Sequence, residues 1–166
     1  MMIFWGLVVV AVDINVGGGD LLLPDIAGYI LIMMATTVLS TASVRFATAR
    51  IFALAAAGAW FVSIFQDPPG SLISMIRIAL DLAVTWYVCT GILELAMARA
   101  NRDLAHAAAT RRNWTLGASL LGLALTALAQ AAPSLFEALV VPAVVAVFTV
   151  AVLVLLLIRR ASLEIA

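Results

Sequence analysis

Residues 71–98 read SLISMIRIALDLAVTWYVCTGILELAMA, an apolar run of 28 positions interrupted by only three charged side chains, Arg77, Asp81 and Glu94. A helix needs about 20 predominantly apolar residues to cross ~30 Å of hydrocarbon, so this stretch is long enough to span a bilayer. The surrounding chain has the same character. It is 66% hydrophobic and 11% charged, whereas soluble domains are roughly half apolar and a quarter charged. The fold class expected is all-α, a polytopic integral membrane helical bundle.

Outward from this run, six apolar stretches cover about 1–16, 24–44, 47–66, 71–98, 113–132 and 135–158, which predicts about six transmembrane helices in a single domain over residues 1–166. The first and third are short, and are completed by flanking polar residues, by local thinning of the bilayer or by lying partly shielded behind neighbouring helices. The first lacks a basic leader and a small-residue cleavage pattern, so it reads as a retained span. The nine basic side chains other than His106 are all Arg. Arg45 and Arg50 fall between the second and third runs, Arg99, Arg102, Arg111 and Arg112 between the fourth and fifth, and Arg159 and Arg160 after the sixth. Asp13, Asp20, Asp25, Asp67 and Glu137 fall on the other side. The positive-inside rule then places both termini in the cytoplasm, and the even span count agrees.

Gln66-Asp67-Pro68-Pro69-Gly70 is a stop signal with Ser71 as an N-cap, and Ser134-Leu135-Phe136-Glu137 reads as a capping box for the sixth helix. Trp60, Phe61 and Phe65 near outer ends, with Trp5 and Trp114 near inner ends, read as aromatic belts. Close helix packing is expected where small residues repeat. Ala118, Gly122 and Thr126 in the fifth run are the clearest case, with Ala53, Ala57 and Gly58 in the third. Thr36 with Ser40 and Thr37 with Thr41 are hydroxyl pairs that bond their own backbone or a neighbouring helix. The sixth run, rich in Val, Leu and Ala, reads as lipid-facing and kinked at Pro142.

Two places carry residues that are costly to keep in a membrane. Counting 1.5 Å per residue from Ser71 puts Arg77 about 9 Å and Asp81 about 15 Å deep. An Asp near the bilayer centre costs ~3 kcal/mol even on permissive scales, which makes it a functional-site candidate by default. Arg77 and Asp81 are spaced i,i+4, so an ion pair is expected, either structural or serving an ion or proton. Thr85 and Cys89 continue the four-residue steps as a polar stripe facing the bundle. The second place is the outer acidic turn, Asp13-Ile-Asn-Val-Gly-Gly-Gly-Asp20-Leu-Leu-Leu-Pro24-Asp25. Its carboxylates either cap the next helix or converge on a hard cation, without the spacing of an EF-hand loop. Ala11-Val12-Asp13-Ile14 echoes Ala79-Leu80-Asp81-Leu82, a spacing that permits an inverted repeat.

Asp13-Ile14, the Asp20-to-Asp25 segment ending Leu-Pro-Asp, and Gly28-Tyr29-Ile-Leu-Ile together resemble a pattern between the first two spans of small bacterial multispan membrane proteins, with Gly19 where that pattern often has an aromatic. The resemblance implies a multi-pass protein of the bacterial cytoplasmic (inner) membrane and no established activity.

Composition excludes several classes. One Cys, Cys89, and one His, His106, leave no multi-cysteine or histidine-rich metal site, and no cofactor is expected. No nucleophile with an adjacent base is present, so an enzyme acting on lipids or prenyl chains ranks third. Zero net charge and short loops argue against nucleic acid. Two readings stand ahead: a small cation- or proton-linked transport or permeation protein, and a non-catalytic accessory or assembly subunit of a larger membrane complex. The partners expected are the lipid bilayer and either a homo-oligomer or that larger complex.

Overall fold

A computed structural model of the chain describes residues 15–16, 19–20, 22–63 and 72–164. The first run up to Asp13 and Ile14, with Trp5 and the Ala11–Ile14 echo, lies outside the described residues, as do Phe65 and the 66–71 stop. Of Asp20 and Asp25 only the backbone is described. A two-residue antiparallel ladder, β1 (Asn15–Val16) with β2 (Gly19–Asp20), sets Asn15 opposite Asp20 and Val16 opposite Gly19. The other regular elements among the described residues are helices: α1 (Leu22–Leu39), α2 (Val44–Ser63), α3 (Leu72–Ala98), α4 (Arg102–Ala131) and α5 (Pro133–Glu164). By length and composition, three helical stretches, Val44–Val62, Met75–Ala98 and Pro133–Glu164, are apolar enough to cross a membrane, and Gly28–Leu39 in α1 is a shorter apolar stretch.

Each helix packs on its neighbours in sequence, because the connections are too short for anything but antiparallel reversals. Between α1 and α2, the Ser43 hydroxyl accepts from the Arg45 backbone N–H at 3.1 Å and satisfies one of the orphan donors of α2. Between α3 and α4 the Asn101 N–H donates to the Ala96 carbonyl at 2.9 Å, while the Asn101 side chain accepts from the Leu104 N–H at 3.1 Å, so one residue closes α3 and caps α4. Ala100 sits at the left-handed position of this turn with φ 56°. A Cβ is disfavoured there by about 1–2 kcal/mol, so Ala100→Gly is expected to raise stability by up to about 1 kcal/mol in chemical or thermal unfolding.

Three expected boundaries change. The segment 99–112, read as a loop, is mostly the first three turns of α4, since Asn101 supplies a cap and Leu104 and Ala108, four apart, are both fully buried. Helix α5 begins at Pro133, where a missing N–H costs nothing, and Ser134 therefore lies inside the helix and does not cap it. Arg45 belongs to the first turn of α2 and not to a loop.

The core has two parts. The larger joins Ala35, Phe46, Ala49, Val88, Cys89, Ile92, Ala96, Leu104, Ala108 and the C-terminal part of α5, with Val154, Leu157, Ile158 and Ala161. The smaller joins Tyr29, Ile32, Ala53, Ala56, Trp60 and Val84 across α1, α2 and α3. The tightest approach among the described glycines is at Gly91 of α3, where an added Cβ would stand 2.7 Å from Cζ of the Phe46 ring. The expected close packing at Gly122 and Gly58 is not found, because nothing lies within 4 Å of a Cβ built at either; Ala53 and Ala57 do pack inward. The Thr36, Thr37, Ser40 and Thr41 hydroxyls all donate to carbonyls of their own helix or its end. Large apolar side chains such as Ile51, Leu54, Val141, Val145 and Phe148 are more than half exposed, a surface suited to lipid and not to water. Helix α5 is thus largely exposed in its first half and contributes to the core over its last three turns.

Candidate functional site

The reversals gather the basic residues. Glu94 near the end of α3 accepts from Arg45 Nε at 2.9 Å and from the Ser43 hydroxyl at 2.7 Å, which ties the α1–α2 turn to α3. Glu164 at the end of α5 accepts from Arg160 and, at 2.7 Å, from the side chain of Asn101 in the α3–α4 turn. Arg45, Arg99, Arg102, Arg159 and Arg160 accordingly share one end of the bundle, and Glu137 near the start of α5 lies at the other.

Between these ends lies a cavity of about 250 Å³ bounded by α1, α3, α4 and α5. Its polar wall is made by Tyr29, Asp81, Thr85, Thr115 and Ser119, and its apolar wall by Leu82, Val84 and a stripe of α5 that includes Val147, Val150 and Val154. Asp81 stands nine residues into α3, about 14 Å from its start, within the apolar stretch Met75–Ala98. The Tyr29 hydroxyl donates to Asp81 Oδ1 across the α1–α3 contact. The Thr85 hydroxyl donates to the Asp81 carbonyl at 2.9 Å and that of Thr115 to the Arg112 carbonyl at 2.6 Å, so both donors are committed and the oxygens face the cavity only as acceptors.

The expected ion pair between Arg77 and Asp81 does not form. The Arg77 guanidinium lies over the Trp60 ring of α2, 5.1 Å from its centroid, and Asp81 turns to Tyr29 instead. Arg77 Nε is buried without a hydrogen-bond partner among the described residues. Trp60 is buried and holds a cation, so it is not a belt residue; Phe61 and Trp114 are exposed as belts require. The polar stripe also splits: Asp81 and Thr85 line the cavity, whereas Cys89 is fully buried in the larger core. Steps of four residues on a 3.6-residue turn drift by about 40° each, which carries Cys89 about 120° round from Arg77.

Tyr29, Thr115 and Ser119 are site residues that the sequence alone does not single out. Thr115 and Ser119 are an i,i+4 hydroxyl pair of the kind noticed in the second run, and that spacing was the available signal. Arg112 was placed in a loop, yet it lies over the Trp86 ring at 4.5 Å, one turn beyond the cavity, with its Nε buried and unpartnered among the described residues. Among the described residues no group of three or more His, Cys, Asp or Glu is placed to hold a metal. Comparison with protein-family models, curated proteins and solved structures finds no match for the chain.

Proposed function

We propose that the chain is a small polytopic protein of the bacterial inner membrane, with six spans and both termini cytoplasmic, that passes a monovalent cation or a proton by way of Asp81. The observation that carries this reading is a carboxylate within an apolar span that lines a cavity, bonded to a phenol and not to an arginine. A carboxylate kept only for packing is best served by a charge partner in reach, and Arg77, one turn away, is held on Trp60. Supporting features are the clustering of arginines at one end, as the positive-inside rule asks of a cytoplasmic face, and the dense Phe46–Gly91 packing between the cavity and that end, where a closed barrier would stand.

Two measurements test it. Protein reconstituted into liposomes is expected to support a saturable proton or monovalent-cation flux that Asp81→Asn abolishes while the variant remains folded. A cysteine placed at Gly18 is expected to label from outside the cell and one placed after Arg102 from inside. Flux that survives Asp81→Asn would remove Asp81 from the path. Absence of flux together with stable co-purification of larger membrane proteins would favour the accessory-subunit reading, for which the exposed apolar face of α5 offers the surface.

A further inference from the structure

The two walls of the cavity differ in chemistry, and together they restrict what it can hold. Among the described residues that line the wall, Asp81 is the single charged one. A divalent cation requires six or more oxygen ligands and matching charge, which one carboxylate and a few hydroxyls do not supply. A small alkali ion carries strongly held water, and the faces of Val147, Val150 and Val154 give that water nothing to bond. A ligand with one positive charge and an apolar body satisfies both walls at once, since its N–H groups meet the carboxylate while its carbons displace water from the valines. About 250 Å³ lies just below the ~300–1,000 Å³ of sites for drug-sized ligands, so the body is small, on the order of ten heavy atoms.

We propose that this cavity binds a monovalent organic cation, a primary alkyl- or arylalkylammonium, with Asp81 as its counter-ion and the valine face of α5 against its carbon body. The inference rests on the reading of Asp81 as an ion-binding carboxylate and adds the class of ligand. Tyr29 is a positioning residue: its hydroxyl engages Oδ1, which orients the carboxylate and directs Oδ2 to the ammonium. Arg77, one turn away but absent from the cavity wall and held on Trp60, opposes the bound charge from a distance and so limits affinity.

The test uses the full chain in nanodiscs titrated calorimetrically with hexylammonium chloride, with hexanol, sodium hexanoate and sodium chloride as comparators and protein-free nanodiscs as the partition blank. Saturable binding of one hexylammonium, at least about tenfold tighter than hexanol, is expected, because a charge-assisted hydrogen bond is worth about 1.5–3 kcal/mol and 1.4 kcal/mol is tenfold. Asp81→Asn should erase that preference and leave hexanol unchanged. Val150→Trp, which fills the apolar wall without touching the carboxylate, should weaken hexylammonium and hexanol alike, so the proposal stays testable if Asp81→Asn fails to fold. Equal affinity for hexylammonium and hexanol, or a preference that survives Asp81→Asn, overturns the assignment. If Asp81-dependent proton or sodium flux is present without hexylammonium binding, the ligand class falls while the permeation reading stands; hexylammonium binding without any flux leaves the site standing and removes the permeation reading.

Discussion

Gly91→Leu is expected to lower the stability of the folded protein by about 3 kcal/mol or more, because the side chain would be driven into a ring that cannot retreat. Even a single Cβ at Gly91 meets three atoms of the Phe46 ring at 2.7–3.0 Å, and Phe46 is itself 1% exposed, surrounded by the larger core. Gly91→Ala sets two effects against each other. Alanine gains up to about 1 kcal/mol over glycine in a helix interior, and overpacking costs about 1–3 kcal/mol, so the net change is a loss of about 1 kcal/mol. Gly122→Ala in α4 is the matched control: nothing lies within 4 Å of its Cβ, and it should stabilise by about 0.5–1 kcal/mol. Opposite signs for two identical substitutions, read by reversible unfolding in detergent, are the signature of the α2–α3 contact. Phe46→Leu should recover part of the loss in Gly91→Ala and do nothing for Gly122→Ala. A Gly91→Ala variant as stable as Gly122→Ala would mean that the two helices do not approach closely at this point.

The second large effect concerns the partner of Asp81. Had Arg77 and Asp81 formed a dry ion pair, removing either alone would cost about 3–5 kcal/mol and removing both could be neutral. The geometry shifts the coupling to other pairs. In a double-mutant cycle, Tyr29→Phe and Asp81→Leu are expected to couple by about 1.5–3 kcal/mol, the range for a hydrogen bond to a charged group. Arg77→Leu is expected to couple to Trp60→Leu by about 1–2 kcal/mol, the scale of a desolvated cation–π contact, and less strongly to Asp81→Leu. Asp81→Asn should be milder than Asp81→Leu, since the amide oxygen still accepts from Tyr29. A cycle in which Arg77 and Asp81 couple more strongly than Tyr29 and Asp81 would restore the ion pair and remove the carboxylate from the cavity wall.

Residues of one helix were the most legible. That Asp81 lies deep in an apolar helix, that Thr85 shares its face and that the hydroxyls near the end of α1 bond their own backbone all follow from spacing along a single chain, because a helix fixes which neighbours three and four positions away can meet. Tyr29, Thr115 and Ser119 were not legible as site residues, since what makes them one is their arrival beside Asp81 from two other helices. The same limit explains Trp60 and Gly122. An aromatic near a helix end is a belt residue only if no cation is brought to it, and a small residue marks close packing only if a neighbour comes to fill the space it leaves.

Composition and the order of apolar and polar stretches were enough, by themselves, to determine a predominantly helical chain with long apolar helices, and the placing of Arg45, Arg99, Arg102, Arg159 and Arg160 at one end. These are properties of transfer from water and of local backbone geometry, both summed along the chain. Which side chain Asp81 bonds, where Arg77 and Arg112 lay their guanidinium groups, that 102–112 continues as helix against α3 and α5, and that a cavity opens between α1, α3, α4 and α5 were decided only by tertiary structure. An i,i+4 pair offers proximity without obligation, and the partner chosen is the one that the packing of a second helix brings within hydrogen-bonding or stacking distance.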